Sequence, residues 1–469
     1  VFKSRSQVPF TLFIALCVIG AVLGFSGCST YEAKPLNTDT VDKALEQKPL
    51  DSVILQASQF KHPLIHSIEI KGEGGYSPQE LAVIACVLSP SLKALRDQNA
   101  VAESQVIQAG ILPNPQVNFT IDRPTQEYDP VAVAAKGMSL SYDLSALLSH
   151  RDVRAAAQAN ARSVNLSVAW LEWQYAQAVQ VSAYRILSLE ERLPQARSIE
   201  QDLNEALNEA KQAVLKGYQT TGDVALLNTS LNQAQTIRFD MEQKLIEERA
   251  SLNLSLGRQV TEIIPIKRSA DIPSLTEAVS YSSNEIESTR LDLVALKLGY
   301  ESQEYSLRAA VKSQFPKIGI SLNSANDTTP ISTRGAGVTF DIPLFDRNQG
   351  QVAIAKATRQ QLFDEYIARC AEARSQVVQI SAQISHVKTE VISAEKAGLE
   401  EHAILMAHQK TRESDNLDYQ MYRDARMQLA NRNLELSTLK QELFELSVAL
   451  EIATGRSLLS SSITKTINP

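Results

Sequence analysis

The sequence predicts a mainly α-helical chain with a membrane β part, in which a long coiled-coil barrel is joined to a β-barrel that only trimerisation completes. Three observations predict it. First, the chain repeats itself. YDLSALLSHRDVRAAAQ at 142–158 matches FDIPLFDRNQGQVAIAK at 340–356, and LSLGR ending at Arg258 matches IATGR ending at Arg456, both at an offset of 198 residues. An offset kept over that distance marks two internal repeats. Second, four short segments alternate apolar and polar residues. Third, residues 348–413 contain no proline and only two glycines, as a very long helix requires.

The N-terminus reads as a secretory leader. Lys3 and Arg5 precede an apolar run from Phe10 to Phe25, about 16 residues and short for a bilayer-crossing helix. Ser26, Gly27 and Cys28 then resemble a bacterial lipobox, with Phe25 in place of the usual Leu. The resemblance implies cleavage after residue 27 and lipidation of Cys28, and Ser29 carries no aspartate-type inner-membrane retention signal. Lys3 and Arg5 would leave with the leader and no acid would, so the net charge goes from −7 to −9. Nothing in this charge suggests a nucleic-acid binder. Cys86 and Cys370 stand far apart without a CxxC pair; they fit small core residues, although a disulfide stays open.

Each repeat reads as helix, strand, loop, strand, long helix, turn, helix. The strands are expected at 114–122, 138–144, 315–323 and 337–346, with strand loops near 124–135 and 324–334. In the second repeat Tyr366, Cys370, Ala373, Val377, Ile380, Ile384, Val387, Val391 and Ala394 follow Phe363 at alternating three and four spacing, which is a coiled-coil seam. Leu436, Leu439, Leu443, Leu446, Leu450 and Ala453 repeat it in the last helix, and Val164, Val168, Leu171, Tyr175 and Ala178 begin it in the first repeat. The long helices, 149–217 and 348–413, would reach about 104 and 99 Å, with a bend expected at Pro194. Trp170 and Trp173 fall too far down the first of them for a membrane girdle and are expected in the core. His386, His402 and His408 lack the spacing of a helical metal pair, and no metal or cofactor is expected. The charged run EERLPQARSIEQDLNEALNEAK at 190–211 reads as a solvated helix face.

Strands of this kind need water on one face and something apolar on the other. On a secreted, lipid-anchored chain that points to an outer-membrane barrel, although a core-packed sheet has the same pattern. Asn118, Thr120, Asp143, Ser321 and Asp341 would then line the lumen, while Phe119, Leu140, Ile320, Phe340 and Ile342 would face lipid. Four strands cannot close, and open edges are not tolerated in hydrocarbon. Three copies would supply twelve.

The helix-to-strand AGILPNPQV, the strand-to-helix GVTFDIPLFDRNQGQ and the duplicated hairpins together resemble the TolC-type outer-membrane factors of tripartite efflux pumps, over about 78–456. The resemblance implies a homotrimer with a twelve-stranded barrel and a twelve-helix periplasmic barrel. It would be a lipid-anchored member in the outer membrane of a Gram-negative bacterium, docked to a periplasmic adaptor and an inner-membrane RND-type transporter. The implied organisation is a leader at 1–27, an anchor and linker at 28–77, repeats at 78–258 and 282–456, an inter-repeat equatorial segment at 259–281 and a tail at 457–469. At the hairpin turns the resemblance implies a periplasmic gate of Asp223 and Asp415, with Tyr419 and Arg423 holding the tip shut; capping and solvated turns would use the same residue types. If acids ring the axis, their mutual repulsion raises their pKa values and attracts cations. Intermolecular pairs of Arg423 or Arg426 would then break on opening. The expected function is a passive exit duct without enzymatic chemistry. The same architecture resembles the duct of type I protein secretion, and a lipid-anchored periplasmic scaffold is a reading of another class.

Overall fold

The structure is a computed structural model describing residues 30–46, 49–65, 68–70, 72, 74–125, 133–267, 283–329, 331–412 and 419–456. Cys28, Asp415 and the tail lie outside the described residues. The segment up to Lys48 is a separate unit; its described residues include a short helix, α1 (Thr38–Leu45), whose N-cap Asn37 accepts from Thr40 N at 2.9 Å.

The second unit holds α2 (Leu50–Ser58), α3 (Pro78–Leu88), α4 (Pro90–Gly110), β1 (Gln116–Asp122), β2 (Ala135–Asp143), α5 (Ser145–Leu215), α6 (Thr221–Ser255), α7 (Ser283–Thr289), α8 (Leu291–Lys312), β3 (Ile318–Asn326), β4 (Ser332–Phe340), α9 (Gln349–Arg412) and α10 (Tyr419–Thr454). From α4 onward the order helix, two strands, long helix, return helix occurs twice. Local chemistry sets the helix starts. Ser77 and Ser89 cap α3 and α4, and Pro78 and Pro90 take first-turn positions, where a missing N–H costs nothing.

The 71 residues of α5 span about 107 Å and the 64 of α9 about 96 Å. Pro194 lies within α5 without ending it. A helix-interior proline costs about 3 kcal/mol, which packing offsets, since α5 is flanked by α3, α4, α6, α8 and α10. That coverage also widens the first-repeat seam. Val168 of the expected seam is buried, but Leu171 is 44% exposed, while Trp173, Ala176, Val179, Ala183 and Ile186 are also buried, so the buried stripe is wider than the seam and extends onto a neighbouring face. Trp170 and Trp173 are core residues with rings 5.1 Å apart. Cys86 and Cys370 are free and buried in separate clusters; burial pushes the Cys86 thiol up to about 12. In α9 the expected seam is the one that packs: Cys370, Ala373, Val377 and Ile384 form a cluster with Leu450 and Ala453 of α10.

The repeat is visible at single residues. Gly257 ends α6 with φ +62° and Gly455 ends α10 with φ +69°, the left-handed stop that favours glycine. Arg258 N returns to Asn253 O, and Arg456 N to Glu451 O, again 198 residues apart. A methyl on Gly257 would approach Pro90 Cδ at 3.3 Å, whereas one on Gly455 would lie 2.8 Å from the Thr289 and Arg290 backbone. Gly455→Ala should therefore cost more than Gly257→Ala, the left-handed conformation alone accounting for roughly 1–2 kcal/mol. Thermal denaturation of the two variants measures this, with the larger fall in Tm at Gly455.

The strands form one antiparallel sheet in the order β1-β2-β3-β4. The last strand differs from expectation. It begins at Ser332 and ends at Phe340, so Asp341 and Ile342 lie beyond it. Asp341 N still donates to Lys317 O at 3.0 Å, but Leu344 N turns back to Ile342 O at 2.9 Å. Pro343 sits at the centre of that tight turn, where its fixed φ and missing N–H end the ladder. At the other end β3 runs on to Asn326, and Asp327 N closes the loop on Ile331 O.

Candidate functional site

The cross-strand register sorts the sheet into two faces, because directly paired residues share a side. One face carries Val117 opposite Leu140, Leu140 opposite Leu322, Ile320 opposite Val338 and Ile318 opposite Phe340, with Phe119 opposite Met138. It is exposed: Phe119 is 64% accessible and Phe340 60%, so no core covers it within the chain. Nearby, Ile111, Phe315, Ile342, Leu344 and Phe345 are also exposed. The other face pairs Asn118 with Ser139, Gln116 with Ser141, Ser141 with Ser321, and Asp143 with Gly319. Asn118, Thr120, Asp143 and Ser321 thus share one side, opposite Phe119, Leu140, Ile320 and Phe340. Asp143 also accepts from Ser145 N at 2.9 Å, fixing the start of α5.

All four strand glycines, Gly137, Gly319, Gly335 and Gly337, fall on the polar face. A Cβ at Gly137 would sit 2.4 Å from Thr120 Oγ1, and one at Gly337 2.8 Å from Ser321 Oγ. Side chains on that face are crowded together, as on the concave side of a bent sheet. The outer strands β1 and β4 have no neighbour beyond them in the sheet. Among the described residues no helix is long and apolar enough to cross a membrane, and no group of three His, Cys, Asp or Glu could hold a metal ion.

At the far end of the helices, Asp223 is a capping residue. Thr220 donates to Asp223 Oδ2 through its backbone N at 2.9 Å and its hydroxyl at 2.8 Å, and Asp223 N returns to Thr220 Oγ1. These bonds hold the carboxyl below its ordinary pKa, the opposite sense from the mutual repulsion expected of a ring. Tyr419 is the first residue of α10.

Arg423 and Arg426 are engaged within the chain. Arg423 Nη1 donates to Glu209 Oε2, and Arg426 Nε sits 3.2 Å from Asp202 Oδ2 while its Nη2 donates to Ser198. These contacts tie α10 of the second hairpin to α5 of the first. Asp202 is buried, and desolvation raises its pKa against the opposing pull of Arg426. The run 190–211 is therefore no free solvated face. Within it Arg192 is buried and bonds Thr438 and Gln441, Arg197 pairs with Glu242, Glu200 with Arg238, and Glu190 with Arg249. The one signal in the sequence was opposite charge on facing elements, which becomes readable only once the helices are known to be neighbours.

Comparison with known proteins places this arrangement. No protein-family model matches the chain. In sequence it is 22% identical over 298 residues to the cobalt-zinc-cadmium resistance protein CzcC of Cupriavidus metallidurans, over 63% of this chain and 69% of CzcC. In structure it is similar to the transmembrane channel CusC, with TM-score 0.66 and 15% identity over 85% of this chain and 99% of CusC. It is also similar to the open state of the MtrE outer membrane channel of Neisseria gonorrhoeae, with TM-score 0.65 and 17% identity over 85% and 94% of the two chains. The outer membrane protein VceC of Vibrio cholerae gives 0.63 and 16% over 81% and 96%. These structural neighbours are outer-membrane channels, not enzymes.

Proposed function

The chain has the fold of the outer-membrane efflux channels, and from that premise we propose that it is one of three identical subunits of a passive exit duct through the outer membrane. One observation carries the reading: a single chain ends its helical repeats in a sheet with an exposed apolar face, a polar face crowded by glycine, and two open edges. Hydrocarbon suits the first, a water-filled lumen the second, and neighbouring copies the third. Twelve strands from three copies make an even-numbered closed barrel. A scaffold without a pore has no use for such a sheet.

In this reading Asn118, Thr120, Asp143 and Ser321 line the lumen, with Asp341 just beneath the strand. Phe119, Leu140, Ile320 and Phe340 face lipid, and Ile342 lies in the apolar belt below. Asp223 and Asp415 stand at the periplasmic tip, where three copies of each would favour cations. Asp223 serves as cap and lumen charge together. Lipidation of Cys28 anchors the chain, and a periplasmic adaptor with an RND-type transporter supplies the driving force. The resistance function named for CzcC supports efflux over protein secretion, with divalent metal cations as the substrate class.

Purified full-length protein in a planar lipid bilayer tests the duct. Stepwise, cation-preferring conductance and a trimeric mass in detergent are expected; a strictly monomeric, non-conducting protein overturns the reading. Cadmium and zinc tolerance of cells with and without the chain separates metal efflux, which gives tolerance, from secretion, which does not.

A further inference from the structure

The charges on the sheet are segregated as sharply as its apolar residues. On the apolar face the strands carry two charged side chains, Lys136 of β2 and Arg334 of β4, and both are basic. The strand acids Asp122 and Asp143 fall on the other face, as the pairings Asp122 with Ala135 and Asp143 with Gly319 require. Arg123 follows one residue past the end of β1, at the same end of the sheet. Lys136 pairs with Asn326, and Arg334 with Ser324, so both cations lie at the end of the sheet farthest from the long helices. Arg123, Lys136 and Arg334 are exposed, and among the described residues none makes an ion pair.

A cation at the rim of an apolar band needs an anion at that height. Arg334 is six residues from Phe340 along β4, about 20 Å at strand rise, and Lys136 pairs with Ile121 at the end of β1, so both cations border the apolar residues at the end away from the long helices. Long basic side chains reach toward the lipid headgroup layer from that position. The opposite end of the same face is aromatic and uncharged, with Tyr142 opposite Ile320 and Phe340 opposite Ile318.

We propose that Arg123, Lys136 and Arg334 form a binding site for the phosphate groups of anionic lipid in the outer leaflet, where guanidinium forks give paired bonds to phosphate oxygens. Arg334 lies on one open edge of the sheet and Arg123 beside the other, so closure between copies brings Arg334 of one subunit beside Arg123 of the next. The complete site then spans the subunit joint and ties lipid binding to assembly. The inference rests on the channel reading, which places the apolar face in the bilayer.

The test is lipid retention by the full-length protein in detergent, read by native mass spectrometry after titration with lipid A or with zwitterionic phosphatidylcholine. Parent protein should retain lipid A at least tenfold better, and an excess of inorganic phosphate should not displace it. The triple variant Arg123→Gln, Lys136→Gln, Arg334→Gln should lose that preference while its conductance persists. Equal lipid A retention by parent and variant, no preference in the parent, or displacement by inorganic phosphate overturns the site. If the variant fails to assemble, Arg334→Lys and Arg334→Gln decide, because only the neutral change should weaken lipid A binding. A trimeric, conducting parent that shows no preference for lipid A overturns this site and leaves the duct standing.

Discussion

Ile320→Arg should abolish assembly of the protein in the outer membrane, while Ser321→Arg, one residue away, should leave it assembled. The two side chains occupy opposite faces of β3: Ile320 pairs with Tyr142 and Val338, Ser321 with Ser141 and Gly337. An arginine on the lipid face near the bilayer midplane costs about 2–4 kcal/mol, a factor of roughly 30 to 1,000 per chain, and a trimer carries it three times. On the polar face the same side chain meets water. Ser321→Arg should instead lower conductance and shift selectivity away from cations, since it adds positive charge to the lumen. Quantifying trimer in outer-membrane fractions, followed by bilayer recordings, reads both. Should Ser321→Arg be the variant that fails to assemble, the faces are reversed and the barrel is wrong.

That experiment depends on the part of the fold most legible in the sequence. A strand has a period of two, so the faces of Asn118 and Phe119, or of Ile320 and Ser321, could be read without any knowledge of neighbours. The 198-residue offset likewise paired Gly257 with Gly455, which both end helices. Boundaries were less legible. The apolar alternation of β4 runs on through Ile342 and Leu344, but its ladder ends where Pro343 turns the chain. A hydrophobic pattern records which side a residue faces and not whether its backbone is paired. The seam of α5 was only partly legible, for another reason. A helix with neighbours on several sides buries more than one stripe, and its periodicity no longer singles out a face. At the turn between α5 and α6, the residue types of Asp223 suited both a cap and a charged ring; the structure shows the cap, and a ring would form only between copies.

The second large effect is expected from the contacts that no local pattern could show. Glu209 and Asp202 of α5 hold Arg423 and Arg426 of α10, so the two hairpins of one chain are tied together near their turns. If the tip opens by separation of packed coils, these ties oppose it. Losing the Arg423 pair, whose Glu209 carboxylate is exposed, costs up to about 1 kcal/mol. Losing Arg426 costs more, because it strands the buried carboxylate of Asp202. A combined shift near 2 kcal/mol moves a closed-to-open equilibrium roughly 30-fold. Arg423→Ala with Arg426→Ala should therefore raise bilayer conductance several-fold in an intact trimer, and unchanged conductance would remove both arginines from the gate. Acid should act in the same direction. Burial raises the folded-state pKa of Asp202, so its own contribution to fold stability is full below the unfolded value and lost as pH rises through the folded one. Its pair with Arg426 behaves oppositely and exists only while the carboxyl is ionised. Conductance should rise as pH falls through that elevated pKa, at a higher pH than an ordinary aspartate would require. Asp202→Asn should be conductive at neutral pH and should lose this part of the pH response; a parent-like response in that variant would show that the proton goes elsewhere.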